Sequence, residues 1–156
     1  MDLVEGEILR FAGERTLAPP TVIHWGMVLP SALPMLHDRG VRALSGFGHP
    51  TSYGYDVNYW LDYERAEFLA HHDALKDFAS GIVFSKVDIV CNNTPIEQIE
   101  PTLQEAYDNP DEAEILDLFT HEQYFWPFWT RHIPDHGEGL AAAIRYATER
   151  GYQPVF

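Results

Sequence analysis

Basic residues are scarce in this sequence. Ten Lys and Arg stand against 24 Asp and Glu, for a net charge of −14, and nowhere do the basic residues cluster. A phosphate backbone is bound by a basic face that displaces its counterions. Nucleic acid is therefore a poor partner, and an anionic membrane surface is disfavoured for the same reason. Cysteine is scarcer still: Cys91 stands alone. That excludes an internal disulfide framework and any cysteine-based zinc cluster, and it agrees with a reducing compartment. The opening MDLVEGEILRFAG lacks the basic and then apolar regions of a signal peptide. No apolar run approaches the ~20 residues that span a bilayer. A soluble, cytoplasmic protein is expected.

Several catalytic signatures are missing as well. There is no His-x-x-x-His or His-x-His, so local spacing offers no metal motif, and the metal ligands stay unknown at this stage. No serine sits in a Gly-x-Ser-x-Gly elbow, which disfavours a serine hydrolase. Gly46-Phe47-Gly48 lacks the third glycine and the following helix of a phosphate-cradling loop.

What is present is a globular chain. Its 156 residues are 46% hydrophobic and 22% charged, enough for a single domain over 1–156 with a sizeable core. Helical periodicity predicts a helix over 2–12. Pro19-Pro20 leads into a strand over Thr21–Trp25, and Ser31 is placed to cap a short helix through Leu36. A strand comes next over Val41–Phe47. Residues 48–62 form an irregular excursion, read as a functional loop or a hairpin. A helix is predicted over Tyr63–Ser80, stopped by Gly81, and a strand over Ile82–Val90. Thr94-Pro95-Ile96-Glu97 has the form of a capping box with proline at the first helical position. Behind it, Ile96, Ile99, Leu103 and Tyr107 make an apolar stripe. A strand over 114–121, a helix over 135–150 burying Leu140, Ala143, Ile144 and Ala147, and a short strand over 153–156 complete the chain. This alternation predicts an α/β fold of parallel strands with helices packed outside. The visible strands form an open sheet or part of a barrel.

Sites in such folds lie at the carboxyl ends of the strands, and those ends are unusually polar here. His24 and Trp25 close the first strand. Asp88, Asn92 and Asn93 lie at the end of the third, and His121 and Glu122 at the end of the next. His121 and Glu122 have a plainer reading as ordinary strand-end capping groups. Lys86 and Asp88 share a strand face by the two-residue period and are expected to pair. His49 and Asp56 lie in the excursion, from which they could reach a site. His37, His132 and His136 are read as helix-end residues, and His71-His72 as solvated surface. The aromatic run from Tyr124 through Trp126 to Trp129 is either a core plug or a wall on which an apolar sugar face stacks.

The segments TVIHWG, GVRALSGF, FSKVDIVCNN, THEQYFWP and the closing ERGYQPVF resemble a poorly characterised branch of the polysaccharide deacetylase (NodB-homology) superfamily, over nearly the whole chain from Glu5 onward. The resemblance implies a partial or distorted (β/α) barrel of the deacetylase type. The family's Asp-Asp and His-rich metal motifs lie upstream of the matching residues, so the chain corresponds to the C-terminal part of such a domain, with the N-terminal strands missing. The implied chemistry is metal-dependent removal of acetyl groups from sugars, with zinc as the cofactor where the complete family site exists. His121 matches the late-strand histidine that protonates the leaving group. Asp88 and Glu122 accompany it as catalytic candidates. His24, Trp25, Asn92, Asn93, Tyr124 and Trp126 are candidates for substrate binding. His24 departs from the family pattern, which has an arginine-containing segment there. A carbohydrate is the implied ligand, and exposed sheet edges offer a route to a homo-oligomer. The alternative is a non-catalytic glycan-binding or assembly domain that uses the same cleft.

Overall fold

A computed structural model describes residues 2–14, 18–48 and 57–154 of the chain. Helix α1 spans Asp2–Ala12, as its periodicity predicts, but none of its residues is buried. Leu3, Val4 and Phe11 stay exposed, and the helix is tied to the rest of the chain through Arg39, which ion-pairs with Asp2 and Glu5.

Three parallel strands and one antiparallel strand form the main sheet. β1 (Pro20–Thr21) pairs with β2 (Ala43–Phe47), and β2 with β4 (Val83–Lys86), all parallel. β3 (Ala74–Lys76) pairs antiparallel with β4. The chain leaves β4 at Val87-Asp88 and re-forms as β5 (Ile89–Val90), which pairs in parallel with β6 (Leu118–Phe119). Each parallel strand thus lies beside the next one along the chain, in the order β1, β2, β4–β5, β6. Helix α2 (Leu33–Asp38) comes after β1, α3 (Tyr63–Ala70) comes after β2, and α4 (Ile96–Asp108) and α5 (His136–Glu149) flank β6 in sequence. The architecture is mixed α/β with a parallel-strand sheet, and the described strands do not close into a barrel.

Two apolar clusters hold these layers. Leu44, Phe47, Tyr59, Leu69, Ile82 and Phe84 centre the first, under the main sheet. Ile89, Cys91, Ile99, Leu103, Ala143 and Tyr146 form the second, between β5, α4 and α5. The α4 stripe is buried at Ile99 and Leu103, while Ile96 and Tyr107 at its ends are exposed.

Several sequence expectations change, each for a local physical reason. The helix expected over Tyr63–Ser80 ends at Ala70. The His72 ring stacks on Phe68 at 3.8 Å with its Nδ1 2.7 Å from the Phe68 carbonyl, and buried Asp73 accepts the backbone N–H groups of Glu114 and Ile115. Residues 74–76 then become β3, and the turn at 77–81 closes a hairpin with β4. The strand expected over Ile82–Val90 is broken because Asp88 leaves the β2 ladder and takes up Asp117 instead. The strand over Thr21–Trp25 stops at Thr21, and His24–Gly26 is a 3-10 turn.

Capping also differs. Ser31 lies in a 3-10 turn (Pro30–Ala32), and α2 has no side-chain cap. The capping box does not form: Pro95 is itself the N-cap residue, and the Thr94 hydroxyl donates backward to the Val90 carbonyl at 3.0 Å. In α5 the buried face is His136, Gly139, Ala142, Ala143 and Tyr146, with Ile144 exposed. The strand over 114–121 shrinks to β6. No strand forms at Gln153-Pro154, and the rest of that expected strand lies outside the described residues. The excursion is a hairpin at its base, where Gly48 and Val57 exchange backbone hydrogen bonds. His49 and Asp56 lie outside the described residues.

Candidate functional site

The carboxyl ends of the parallel strands surround a cavity of about 150 Å³. Val22, Ile23, His24 and Trp25 line it from the turn after β1, Gly46 and Gly48 from β2 and its end, Val87 and Val90 from β4–β5, and Phe119 and His121 from β6. His121, two residues past the end of β6 in extended backbone, lines the cavity with Phe119, and His24 lines it from the turn after β1.

Asn92, in the 3-10 turn Cys91–Asn93 after β5, sets the orientation of His121. Its Oδ1 accepts from the His121 backbone N–H at 3.0 Å and lies 3.0 Å from the ring Nδ1. Asn93 fixes Asn92 in turn, accepting from its Nδ2 at 2.8 Å. Because a carboxamide oxygen only accepts, this contact places the proton on Nδ1 and leaves Nε2 as the lone-pair nitrogen of the neutral ring. Asn92 is buried, so the geometry does not depend on a solvent-exposed side chain.

The loop beneath is held from below by His136. This residue is 3% exposed, and its Nε2 lies 2.9 Å from the Thr120 hydroxyl. Burial lowers its pKa, opposed by the His121 backbone and the Asp135 charge. The expectation that His136 merely caps a helix end is corrected: it buttresses the segment carrying His121. Tyr124 joins the same group, its ring 6.2 Å from His121 and 6.1 Å from His136.

Strain marks the opposite rim. Trp25 has φ 57°, and Tyr59 and Trp60 have φ 52° and 58°, left-handed conformations that cost roughly 1–2 kcal/mol per residue outside glycine. The two turns bearing these residues meet at Gly26. A Cβ there would lie 2.9 Å from Val57 Cγ1 and 3.1 Å from the Tyr59 nitrogen. Tyr59 is buried and donates its hydroxyl to the Ser45 carbonyl, and desolvation pushes its pKa up to about 12. The rim is thus held by a close backbone approach, with the Trp25 ring half-exposed at the mouth.

The remaining candidates fall elsewhere. Asp88 lines a different cavity from His121. It pairs with Lys86 at 3.7 Å, and Glu112 joins them 2.7 Å from Lys86. Glu122 is exposed in the 3-10 turn Glu122–Phe125. Trp126 is also exposed and stacks on Phe128 at 5.9 Å. Neither Glu122 nor Trp126 lines the cavity. The aromatic run is therefore no core plug: Phe125, Trp126, Phe128 and Trp129 are all exposed.

One residue that sequence reasoning missed is Asp117. Its Oδ2 accepts from the hydroxyls of Ser45 at 2.5 Å and Ser85 at 2.9 Å, joining β2, β4 and the approach to β6. Burial raises its pKa and the two hydroxyls counter that. The signal in the sequence was a lone acid inside the apolar strand expected over 114–121.

A divalent metal requires three or more donors converging on one point. Among the described residues no group of three His, Cys, Asp or Glu side chains does so. Among the same residues, the cavity itself offers two imidazoles and no carboxylate. The described residues do not fit the zinc centre that the sequence resemblance implies. Comparison with protein-family models, with curated proteins and with solved structures finds no match.

Proposed function

We propose that this chain acts on acetylated carbohydrate as a hydrolase of the polysaccharide-deacetylase kind, with His121 as the proton donor to the leaving amine. One observation carries the reading: the His121 ring, oriented by Asn92 through both its backbone N–H and Nδ1, lines a cavity at the carboxyl ends of parallel strands. In its protonated form the ring presents an Nε2 proton while Asn92 holds the Nδ1 proton. The cavity, at about 150 Å³, is smaller than the ~300–1,000 Å³ of pockets that enclose a whole ligand. It suits an acetyl-sized group, with the sugar ring outside against the exposed Trp25 side chain. The succession of neighbouring parallel strands accords with part of a (β/α) barrel of the deacetylase type.

A second reading, glycan binding without turnover, is favoured by the absence of any carboxylate among the described residues that line this cavity. The two are separated by incubating the protein with a chitin oligosaccharide, with and without added zinc, and measuring acetate release beside tryptophan fluorescence. Acetate release that falls at least 100-fold in His121→Ala, with the circular dichroism unchanged, supports the hydrolase. Saturable quenching without acetate supports the binding domain. A protein that gives neither acetate nor quenching refutes both.

A further inference from the structure

Apolar side chains make most of the wall around His121: Val22, Ile23, Val57, Val87, Val90 and Phe119. Val87 and Val90 are buried. Among the described residues, no lining side chain is a carboxylate, a lysine or an arginine. With the imidazoles neutral, an ion entering this space meets no counter-charge, and burying an unpaired charge is costly. The walls admit a neutral guest. Size restricts the guest further. At about 150 Å³, the space matches engineered apolar cavities of about 150 Å³ that take up benzene.

One polar group interrupts this surface in a fixed orientation. The His121 Nδ1 is committed to Asn92 at 3.0 Å, so Nε2 is the nitrogen left to meet a guest. It has no hydrogen-bond partner among the described residues. Phe119 bounds the same ring edge-on, with centroids 4.8 Å apart. His24 differs. It is exposed, and its ring meets Trp25 edge-on at 5.6 Å with no hydrogen bond among the described residues to orient it. A lone pair fixed in an apolar wall loses its hydration when the cavity fills, unless the guest brings a donor.

We propose that this cavity binds a small neutral aromatic alcohol of the phenol class, its ring among the valines and Phe119 and its O–H donated to His121 Nε2. Phe119 supplies aromatic contact inside the cavity, and the half-exposed Trp25 ring supplies it at the mouth. Toluene has the shape of phenol but leaves Nε2 unmet. Benzoate brings a charge that the walls do not balance. A site built around a hydrogen bond rejects an analogue lacking the donor far more strongly than an apolar pocket rejects an extra methylene. The donor therefore decides selectivity here. The inference does not rest on the hydrolase reading, since a phenol is held whether or not the chain releases acetate.

Phenol, toluene and benzoate are the probes, titrated into the whole chain at pH 8 and followed by proton–nitrogen NMR of the backbone and the imidazole nitrogens. Phenol is expected to bind saturably, shifting the amides of Gly46, Val87, Val90 and Phe119 and the His121 Nε2 resonance. Toluene is expected to bind at least tenfold more weakly, and benzoate without saturation. His121→Phe keeps a ring in the wall and removes the acceptor. In that variant phenol affinity falls at least tenfold and toluene becomes the tighter ligand. Should the variant lose the wild-type amide spectrum, the phenol–toluene comparison in the wild type and its Nε2 shift decide the matter alone. Equal affinity for phenol and toluene in the wild type overturns the proposal, because the cavity would then be an apolar hole in which His121 has no part. So does a phenol response centred elsewhere on the chain, and so does the absence of saturable phenol binding.

Discussion

Asp88 and Asp117 hold each other across the point where the main sheet gives way to the β5–β6 pair. The Asp88 N–H donates to the Asp117 carbonyl at 3.1 Å, and the Asp117 N–H donates to Asp88 Oδ2 at 2.7 Å. Asp117 then reaches back through its own carboxylate to Ser45 and Ser85. These two acids thus connect β2, β4, β5 and β6, and the strand that delivers His121 begins at this junction.

The junction makes stability depend on pH. Burial raises the Asp88 pKa to about 7, so the folded state holds a proton that the unfolded chain releases near pH ~4. Stability contributed by the protonated form is present below the unfolded value and is lost as pH rises through the folded one, at most about 4 kcal/mol over that window. Asp88→Asn removes the titration while keeping an acceptor for Asp117. Urea denaturation should show the variant gaining on wild type between pH 5 and pH 8. A difference that does not change with pH would mean that Asp88 is ionised throughout.

Asn92 makes a separate prediction. Asn92→Ala strips the acceptor from the His121 backbone N–H and Nδ1 at once. A loss of about 1–3 kcal/mol is expected for the unmet donors. Asn92→Asp retains an oxygen in the same place and should lose less. The comparison is made by chemical denaturation of both variants at pH 7, beside sugar-dependent tryptophan quenching. Equal stability of the alanine variant and wild type would show that the clamp does not form in solution.

Periodicity made α4 and α5 legible because burial tracks one face, and both fall within a residue or two of their expected spans; α1 keeps its expected span although none of its residues is buried. The same signal misled at Tyr63–Ser80, because partners distant in sequence decide the conformation of the chain beyond α3. Asp73 answers to Glu114 and Ile115, 41 and 42 positions on, and Leu75 packs as a strand residue opposite Phe84. The site divides in the same way. His24, Trp25, Asn92 and His121 were legible as polar or aromatic groups at strand ends. Asp117 and His136 were not, since their meaning comes from Ser45, Ser85 and Thr120, which only the folded chain brings to them. Asp88 was legible as a buried charge. Which side of the strand it served was set by the break at Val87-Asp88.

The strained rim yields two substitutions that act in opposite ways. Gly26 has φ 59°, and its missing Cβ leaves room for Val57 and the Tyr59 nitrogen. Gly26→Ala adds the left-handed penalty of ~1–2 kcal/mol to an overpacking cost of ~1–3 kcal/mol. A loss of roughly 2 kcal/mol or more is expected, together with loss of any ligand response at the His24–His121 cavity. Trp25→Gly instead relieves its own left-handed strain, offset by the greater freedom of glycine in the unfolded chain. Its stability should remain within about 1 kcal/mol of wild type while the ring at the cavity mouth disappears. Thermal denaturation and sugar titration followed by NMR measure both quantities in each variant. If Trp25→Gly keeps full sugar affinity, the exposed indole is not part of the binding surface, and the ligand is held by the cavity walls alone.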